Sequence, residues 1–544
     1  MNVAQAVGVA LARFGVRKAF GVVGSGNFHF TNGLVRGGSD FVAARHEGGA
    51  TTMADAYARC SGEVAVVSVH QGCGLANATT GLGEAAKSRT PLIVVTGEVT
   101  DPLSNFHLDS GALAHAVGAV SVVVRSAESA LADVRRAFAL ARRDRRTVLL
   151  RLPLDVQEEP FDEHLLDGLT AIEPLPHPRA AGQDVEALAA ALRRAERPVF
   201  LCGRGARSAR KALVELADLS GALLAEGAVA KGLFTGEPWG IGVSGGFSSP
   251  LTAELIRGAD LVVGWGCALN DWTTAHGRLL GPETVLVQVD LDAAALGRNR
   301  PVALGIVGDV AGTAEAVAER LDGHRGGGYR SAGLRTRIAK EIRWRDHAHE
   351  DAGTAGTIDP RTLSAALDEI VPGNRVVGVD SGNFMGYPTM YLDVPDENGF
   401  CFTQAFQSIG LGLATATGAA LALPDRFPVA ACGDGGFLMG IAELETVVRL
   451  NLPMLIVVYN DHAYGAEVYF FEPGGEPTGT VTFPDTDLAA IARGYGCDAV
   501  TVRTRTDLDE VATRVAAGLD RPLVVDAKIS GFGAWWLKAA MAHH

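Results

Sequence analysis

Three times along this chain, short β-branched runs alternate with longer segments of helical spacing, and that alternation restricts the fold more than any other feature. The first series holds "KAFGVV", "FVAAR", "VAVVSV", "LIVVTG" and "VLLRLP", with helix candidates such as Gly48–Cys60 and Leu75–Lys87 between them. A strand that returns to its sheet through a helix returns in parallel. Such sheets bury both faces under helices. Pro153 and "DVQEEPFDEHLLDG" end the series, and "PLPHPRAAGQD" reads as a linker. A second series runs from "RPVFLCGRGARS" through "DLVVGWG" and "TVLVQVDLD", and it fades at "LDGHRGGGYRSAG". The charged connector "RTRIAKEIRWRDHAHED" leads to a third, with "RVVGVD", "FPVAAC", "PMLIVVYN" and "LVVDAKI". The expected fold is α/β: three Rossmann-like domains, each a mainly parallel sheet with helices on both faces, over residues 1–165, 185–320 and 355–544.

A length of 544 residues suits three such units. The net charge of −14, with no basic tract, argues against a nucleic-acid partner. The seven cysteines show neither CxxC nor Cys/His zinc spacing, so reduced, mostly buried thiols of a cytoplasmic protein are expected. The first residues, "MNVAQAVGVALARFGVRKAFGVVG", are apolar, but Arg13, Arg17 and Lys18 follow the apolar stretch instead of preceding it. A helix running into a strand is expected there, not a signal peptide. No apolar run is long enough to suggest a membrane span.

The stretch that carries chemistry is "ACGDGGFLMG". "FPVAAC" reads as a strand, "GDGG" as a turn, and "FLMGIAELETVVRL" as a helix with Leu438, Ile441, Leu444, Val447 and Val448 in its apolar stripe. "NLPMLIVVYND" then returns as a buried strand. Asp434 thus ends one strand, and Asn460-Asp461 end the next, with Asp461 27 residues beyond Asp434. In open α/β sheets the carboxyl ends of the strands face the ligand crevice. The N–H groups of Gly433, Gly435 and Gly436 at a helix start could meet a diphosphate. A hard cation there would take carboxylate, carbonyl and phosphate oxygens. Taken alone, GDGG reads equally well as an ordinary turn.

The sequence GDGG–helix–strand–Asn-Asp resembles the thiamine diphosphate-dependent family that includes acetolactate synthase, benzoylformate decarboxylase and pyruvate decarboxylase. The likeness extends over nearly the whole chain, as a pyrimidine-binding, a central and a diphosphate-binding domain. The family's second Asn is Asp461 here. The resemblance implies Mg²⁺ bound by Asp434, Asp461 and the backbone carbonyl of Ala463. It implies that Glu47, in "RHEGGATTMADAYAR", hydrogen-bonds N1′ of the cofactor's aminopyrimidine, which calls for a low-polarity setting where a proton can be shared. It implies that Ile409, 25 residues before Asp434, wedges the cofactor into a V shape. It also implies a homodimer or tetramer, with Glu47 reaching a cofactor held by another subunit.

The substrate side is more open. His70-Gln71 end a strand before a Gly-rich turn, in "VAVVSVHQGCG". Benzoylformate decarboxylase has a histidine at the corresponding strand end, so His70 is the candidate general acid/base and Gln71 a candidate ligand of a carboxylate or carbonyl oxygen. Ser25 and His29, in the loop after the first strand, and Tyr464 and Glu467, after the metal motif, are further pocket candidates. His46 is expected to point elsewhere, and His276 of the central segment is assigned no role. The central segment resembles the acetolactate synthase middle domain, which holds FAD in some relatives. A lone GxG does not assign FAD here.

The resemblance implies a thiamine diphosphate- and Mg²⁺-dependent enzyme that decarboxylates a 2-keto acid and passes the acyl-anion equivalent to a carbonyl acceptor, as acetolactate synthase does. The alternative is a benzoylformate decarboxylase-type enzyme that releases an aldehyde, which His70 favours. A non-catalytic paralogue would have lost Glu47 or Asp434, and both are present.

Overall fold

The structure, a computed structural model, describes residues 1–173, 176–324, 328–531 and 535–536. Pro174 and Leu175 of the expected linker, residues 325–327 of the Gly-rich stretch, and 532–534 and 537–544 of the third segment lie outside the described residues. The first sheet contains β1 (Lys18–Gly21), β2 (Asp40–Ala43), β3 (Ala65–Val69), β4 (Leu92–Glu98), β5 (Val120–Val123) and β6 (Thr147–Pro153). The second contains β7 (Pro198–Cys202), β8 (Leu223–Glu226), β9 (Gly240–Val243), β10 (Leu261–Trp265), β11 (Val285–Asp290) and β12 (Leu304–Val307). The third contains β13 (Arg375–Val379), β14 (Phe400–Phe402), β15 (Phe427–Gly433), β16 (Leu455–Asn460), β17 (Asp498–Val502) and β18 (Leu523–Lys528).

Every strand pairing within these sheets is parallel. The outer sheets have the same topology: β2-β1-β3-β4-β6-β5 in the first and β14-β13-β15-β16-β18-β17 in the third. The middle sheet runs β12-β11-β10-β7-β8-β9, which is the dinucleotide-fold order 3-2-1-4-5-6. At its switch point the backbones of Gly203 and Gly205 lie directly against Gly266 and Cys267, with no room for a side chain between them. The helix Val3–Phe14 runs into β1 as expected. Six cysteines are buried and Cys73 is exposed. Among the described residues no helix is long and apolar enough to cross a membrane.

Two helices differ from the sequence reading. The expected Leu75–Lys87 helix is two, Cys73–Asn77 and Thr79–Lys87. The stretch after GDGG is also two, Asp434–Met439 and Glu443–Arg449. The break around Gly440 rotates the first piece out of register. Leu444 and Val447 are buried, whereas Leu438 is 40% exposed and does not belong to the stripe.

The outer domains meet through helices Glu47–Ser61 and Gly412–Ala422, which are rich in Gly, Ala and Thr. Small side chains let the backbones touch: a Cβ on Gly418 would collide with the carbonyl of Met53. Beneath this contact Arg59 is buried between two acids. Its Nε donates to Asp55 Oδ1 at 2.9 Å and its Nη2 to Glu84 Oε1 at 2.8 Å. Its Nη1 donates to the carbonyl of Phe402 in the third domain at 3.0 Å. Removing the cation would leave two carboxylates buried together. Arg59→Leu is therefore expected to cost about 3–5 kcal/mol, measured as a lower thermal midpoint. An unchanged midpoint would show that the triad contributes nothing to stability.

Candidate active site

The candidate site begins at the carboxyl ends of β15 and β16. Asp434 is the first residue of helix Asp434–Met439, and its side chain is buried. Asp461 follows β16, and its charge acts on the Asp434 carboxyl. Neighbouring buried carboxyls favour a shared proton or a bound cation. Burial, and then the charge of Asp461, push Asp434 up to about 7. Burial pushes Asp461 up to about 6, against hydrogen bonds from Asn383 and the N–H of Ala463.

The turn carrying these groups is held from behind. Asn460 Nδ2 donates to Asp526 Oδ1 at 2.8 Å, and Lys528 bridges Asp526 at 3.0 Å and Asp485 at 2.6 Å. His462 adopts φ +59°, in the left-handed region, so the chain turns sharply and brings Ala463 back beside Asp461. The Tyr464 ring lies over the glycine turn, where a Cβ on Gly435 would sit 2.6 Å from its Cε1. Tyr464 also packs edge-on to Phe483 at 5.0 Å between centroids. Glu467, on helix Gly465–Phe471, is exposed.

Ile409 is half-buried in the loop that approaches Gly436. Asp380, at the end of β13, fixes the loop's exit. It accepts from Gly410 N at 3.0 Å, Leu411 N at 3.1 Å and Ser381 N at 2.8 Å. A side chain at Gly436 would strike the Asp380 carboxylate, so glycine there is a packing requirement.

In the first domain, Glu47 starts helix Glu47–Ser61 with 9% of its surface exposed. Its Oε2 accepts from Asn77 Nδ2 at 3.0 Å, and Gly74 lies against Oε1. His46 caps this helix, its Nδ1 accepting from Gly48 N at 3.0 Å, so it turns away from the Glu47 carboxylate. The contact from this helix start to the third domain is made by Glu443, which accepts from His46 N at 2.9 Å and Arg45 N at 3.2 Å. Among the described residues, the hydrogen bond to the Glu47 carboxylate comes from its own domain.

His70 follows β3, and its Cβ and the Glu47 Oε1 both lie beside Gly74. Its Nδ1 lies 2.9 Å from the Gln71 carbonyl, which fixes the proton on Nδ1. Its Nε2 is then left facing Ser25 Oγ at 3.4 Å. Phe106 packs edge-on against the ring at 5.4 Å. Gln71 approaches the same loop as His70: its amide is buried against Gly26 and Gly97, and Oε1 has no hydrogen-bond partner. His29 stands on helix Phe28–Arg36 instead of in the loop, exposed beside Phe28. His276 approaches Asp271 at 3.6 Å in the central domain. The structure thus brings together Glu47, His70 and Ser25 in one domain, and Asp434, Asp461, Ala463, Tyr464 and Ile409 in another.

Sequence reasoning missed Asp380, Asn383, Asn77 and Glu443. Asp380 alone had a signal, because "RVVGVD" ends a strand on an acid just as "FPVAACGD" does.

These residues fit a diphosphate with a hard cation. The two carboxyls act on each other's charge, the glycine turn is roofed by an aromatic ring, and Asn383 beside Asp461 has a buried Oδ1 without a partner. Among the described residues no three His, Cys, Asp or Glu side chains could hold a metal ion together. A cation here would complete its shell from the Ala463 carbonyl and ligand oxygens.

Three family models match the chain: the N-terminal TPP binding domain of thiamine pyrophosphate enzymes over residues 1–119, their central domain over 185–317, and their C-terminal TPP binding domain over 380–527. A protein of Pseudomonas aeruginosa named "Probable 2-ketoarginine decarboxylase" is 30% identical, covering 95% of this chain and 92% of its own. Sulfoacetaldehyde acetyltransferase of Rhodobacter capsulatus is 27% identical, with the same coverages. The acetolactate synthase isozyme 2 large subunit of Escherichia coli is 26% identical over 98% of this chain and 97% of its own. In fold, the chain is similar to the thiamine diphosphate-dependent 4-hydroxybenzoylformate decarboxylase of Rhodococcus jostii RHA1, with a TM-score of 0.82, 23% identity, and coverage of 98% and 100%. With three domain models in family order and a relative at 30% identity over nearly its full length, the chain belongs to the thiamine pyrophosphate enzyme family.

Proposed function

We propose that this protein is a Mg²⁺-dependent thiamine diphosphate enzyme that decarboxylates a 2-keto acid and releases the aldehyde. The observation that carries the reading is His70, with Nδ1 held by the Gln71 carbonyl, Nε2 left open toward Ser25, and Cβ beside Gly74, as is Glu47 Oε1. Residues 1–165 serve as the pyrimidine-binding domain, 185–320 as the central domain and 355–544 as the diphosphate-binding domain. Asp434, Asp461 and the Ala463 carbonyl hold Mg²⁺, the N–H groups of Gly433, Gly435 and Gly436 hold the diphosphate, and Ile409 supports the bent cofactor. When bound, thiamine diphosphate supplies the electron sink for loss of CO₂. Glu47 holds the proton at N1′, and His70, once Nε2 has taken a proton from solvent and the ring is imidazolium, delivers that proton to the product carbon while Nδ1–H stays on the Gln71 carbonyl. Ser25 orients His70, Tyr464 walls the pocket, and His29, Glu467 and Gln71 take no direct part. The working unit is at least a homodimer, with Glu47 completing the partner's site. No dinucleotide is part of this proposal.

Transfer to a carbonyl acceptor is the second reading, supported by the acetolactate synthase and acetyltransferase relatives. Pyruvate and an aromatic 2-keto acid, supplied separately, divide the two by product. Acetolactate from pyruvate without free acetaldehyde would overturn aldehyde release. His70→Ala is expected to slow aldehyde formation by on the order of 100-fold in kcat, with KM changed far less. An unchanged kcat would remove His70 from the chemistry.

A further inference from the structure

The loop that presents Ile409 is held at its exit by Asp380 of its own domain. Its entry is held by Glu84, which stands in helix Thr79–Lys87 of the first domain and is fully buried. Glu84 Oε1 accepts from Ala405 N at 3.1 Å and Oε2 from Phe406 N at 2.6 Å. The same carboxylate is braced by Arg59 Nη2 at 2.8 Å and Ser88 Oγ at 3.3 Å, so its direction is fixed from its own domain. Two more contacts seat the loop on this helix. The Phe406 ring packs on Gly83, and Lys87 Nζ lies 5.4 Å from the ring centroid. Between the two anchors the chain bends sharply, with φ +58° at Gln407 and +92° at Gly410.

A loop with exposed side chains that donates two adjacent backbone N–H groups to a buried carboxylate of another domain is positioned by that carboxylate. We propose that Glu84 is a positioning residue: from the first domain, it fixes the entry of the loop that presents Ile409 to the cofactor. This rests on the reading of Ile409 as the cofactor's support. It also gives the buried triad a second task beyond stability. Asp55 and Glu84 both bond to Arg59, yet Glu84 alone of the two acids bonds to the loop.

The test compares Glu84→Gln with Asp55→Asn in the full-length holoenzyme. Each variant removes one acid from Arg59, so each lowers the thermal midpoint. Glu84→Gln is expected also to lower kcat by on the order of 100-fold and to weaken the circular-dichroism signal of the bound cofactor's aminopyrimidine. Asp55→Asn should retain both. Equal kcat and equal signal in the two variants would overturn the proposal. Ile409→Ala is measured alongside. If it leaves signal and kcat intact, the reading of Ile409 fails by itself, and the assignment of Glu84 to the cofactor fails with it. Should Glu84→Gln not fold, hydrogen exchange on the wild-type protein decides: the Ala405 and Phe406 amides must exchange slowly although their side chains are exposed. Exchange of those two amides at the rate of an open loop would overturn the proposal.

Discussion

Glu47→Gln is expected to lower turnover by on the order of 1000-fold while leaving the fold and thiamine diphosphate binding in place. The substitution is nearly isosteric. A glutamine carbonyl still accepts the 3.0 Å bond from Asn77, and the space beside Gly74 that holds Oε1 accommodates an amide. What the amide cannot do is exchange a proton with a ring nitrogen. The loss should therefore fall in kcat, with little change in the cofactor's dissociation constant or the thermal midpoint. Wild-type turnover in this variant would overturn the role given to Glu47. Loss of cofactor binding with an intact fold would make Glu47 a binding group and not a proton carrier.

How much of this was legible in the sequence followed from what each signal measures. Central strands are buried on both faces, so β3, β4, β15 and β16 read directly as apolar runs. The strands β5, β9, β12, β14 and β17 lie at sheet edges and are short, and several of their side chains face solvent. Their patterns carried too little contrast to stand out. Glu47, Asp434 and Asp461 stood out as candidates because each sits near the end of a strand beside small residues. The groups that hold them in place did not. Glu443 and Glu84 lie within helices and look like ordinary solvated acids until the docking of the two domains buries them. Gln71 shows the converse. Its side chain is buried against Gly26 and Gly97 with Oε1 unpartnered, a packing that its place beside His70 in the sequence does not announce. Such preferences are set by packing between elements distant in sequence, which local spacing does not encode.

The acid pair makes the second large prediction, in which stability, metal and pH are linked. In the unfolded chain Asp434 and Asp461 lose their protons near 3.8, whereas in the folded chain they hold them up to about 7 and about 6. A group whose folded pKa is raised stabilises the fold below its unfolded pKa, and that contribution is lost as pH rises through the folded value. The chain without cofactor should thus lose stability between about pH 4 and 7 through this pair. If Mg²⁺ binds here with thiamine diphosphate, it would take the place of the proton on the pair, and its binding would release protons. The rise in thermal midpoint that they cause should be larger at about pH 8 than at about pH 6, by several degrees. Asp461→Asn supplies the control. It removes the neighbouring charge that raises Asp434, so the cofactor-free protein should gain stability at the higher pH and the pH dependence of the metal-induced rise should flatten. A rise of equal size at both pH values in the wild-type protein would mean that the two carboxyls are already ionised before the metal arrives. The shared proton, and the pH dependence assigned to this pair, would then be wrong.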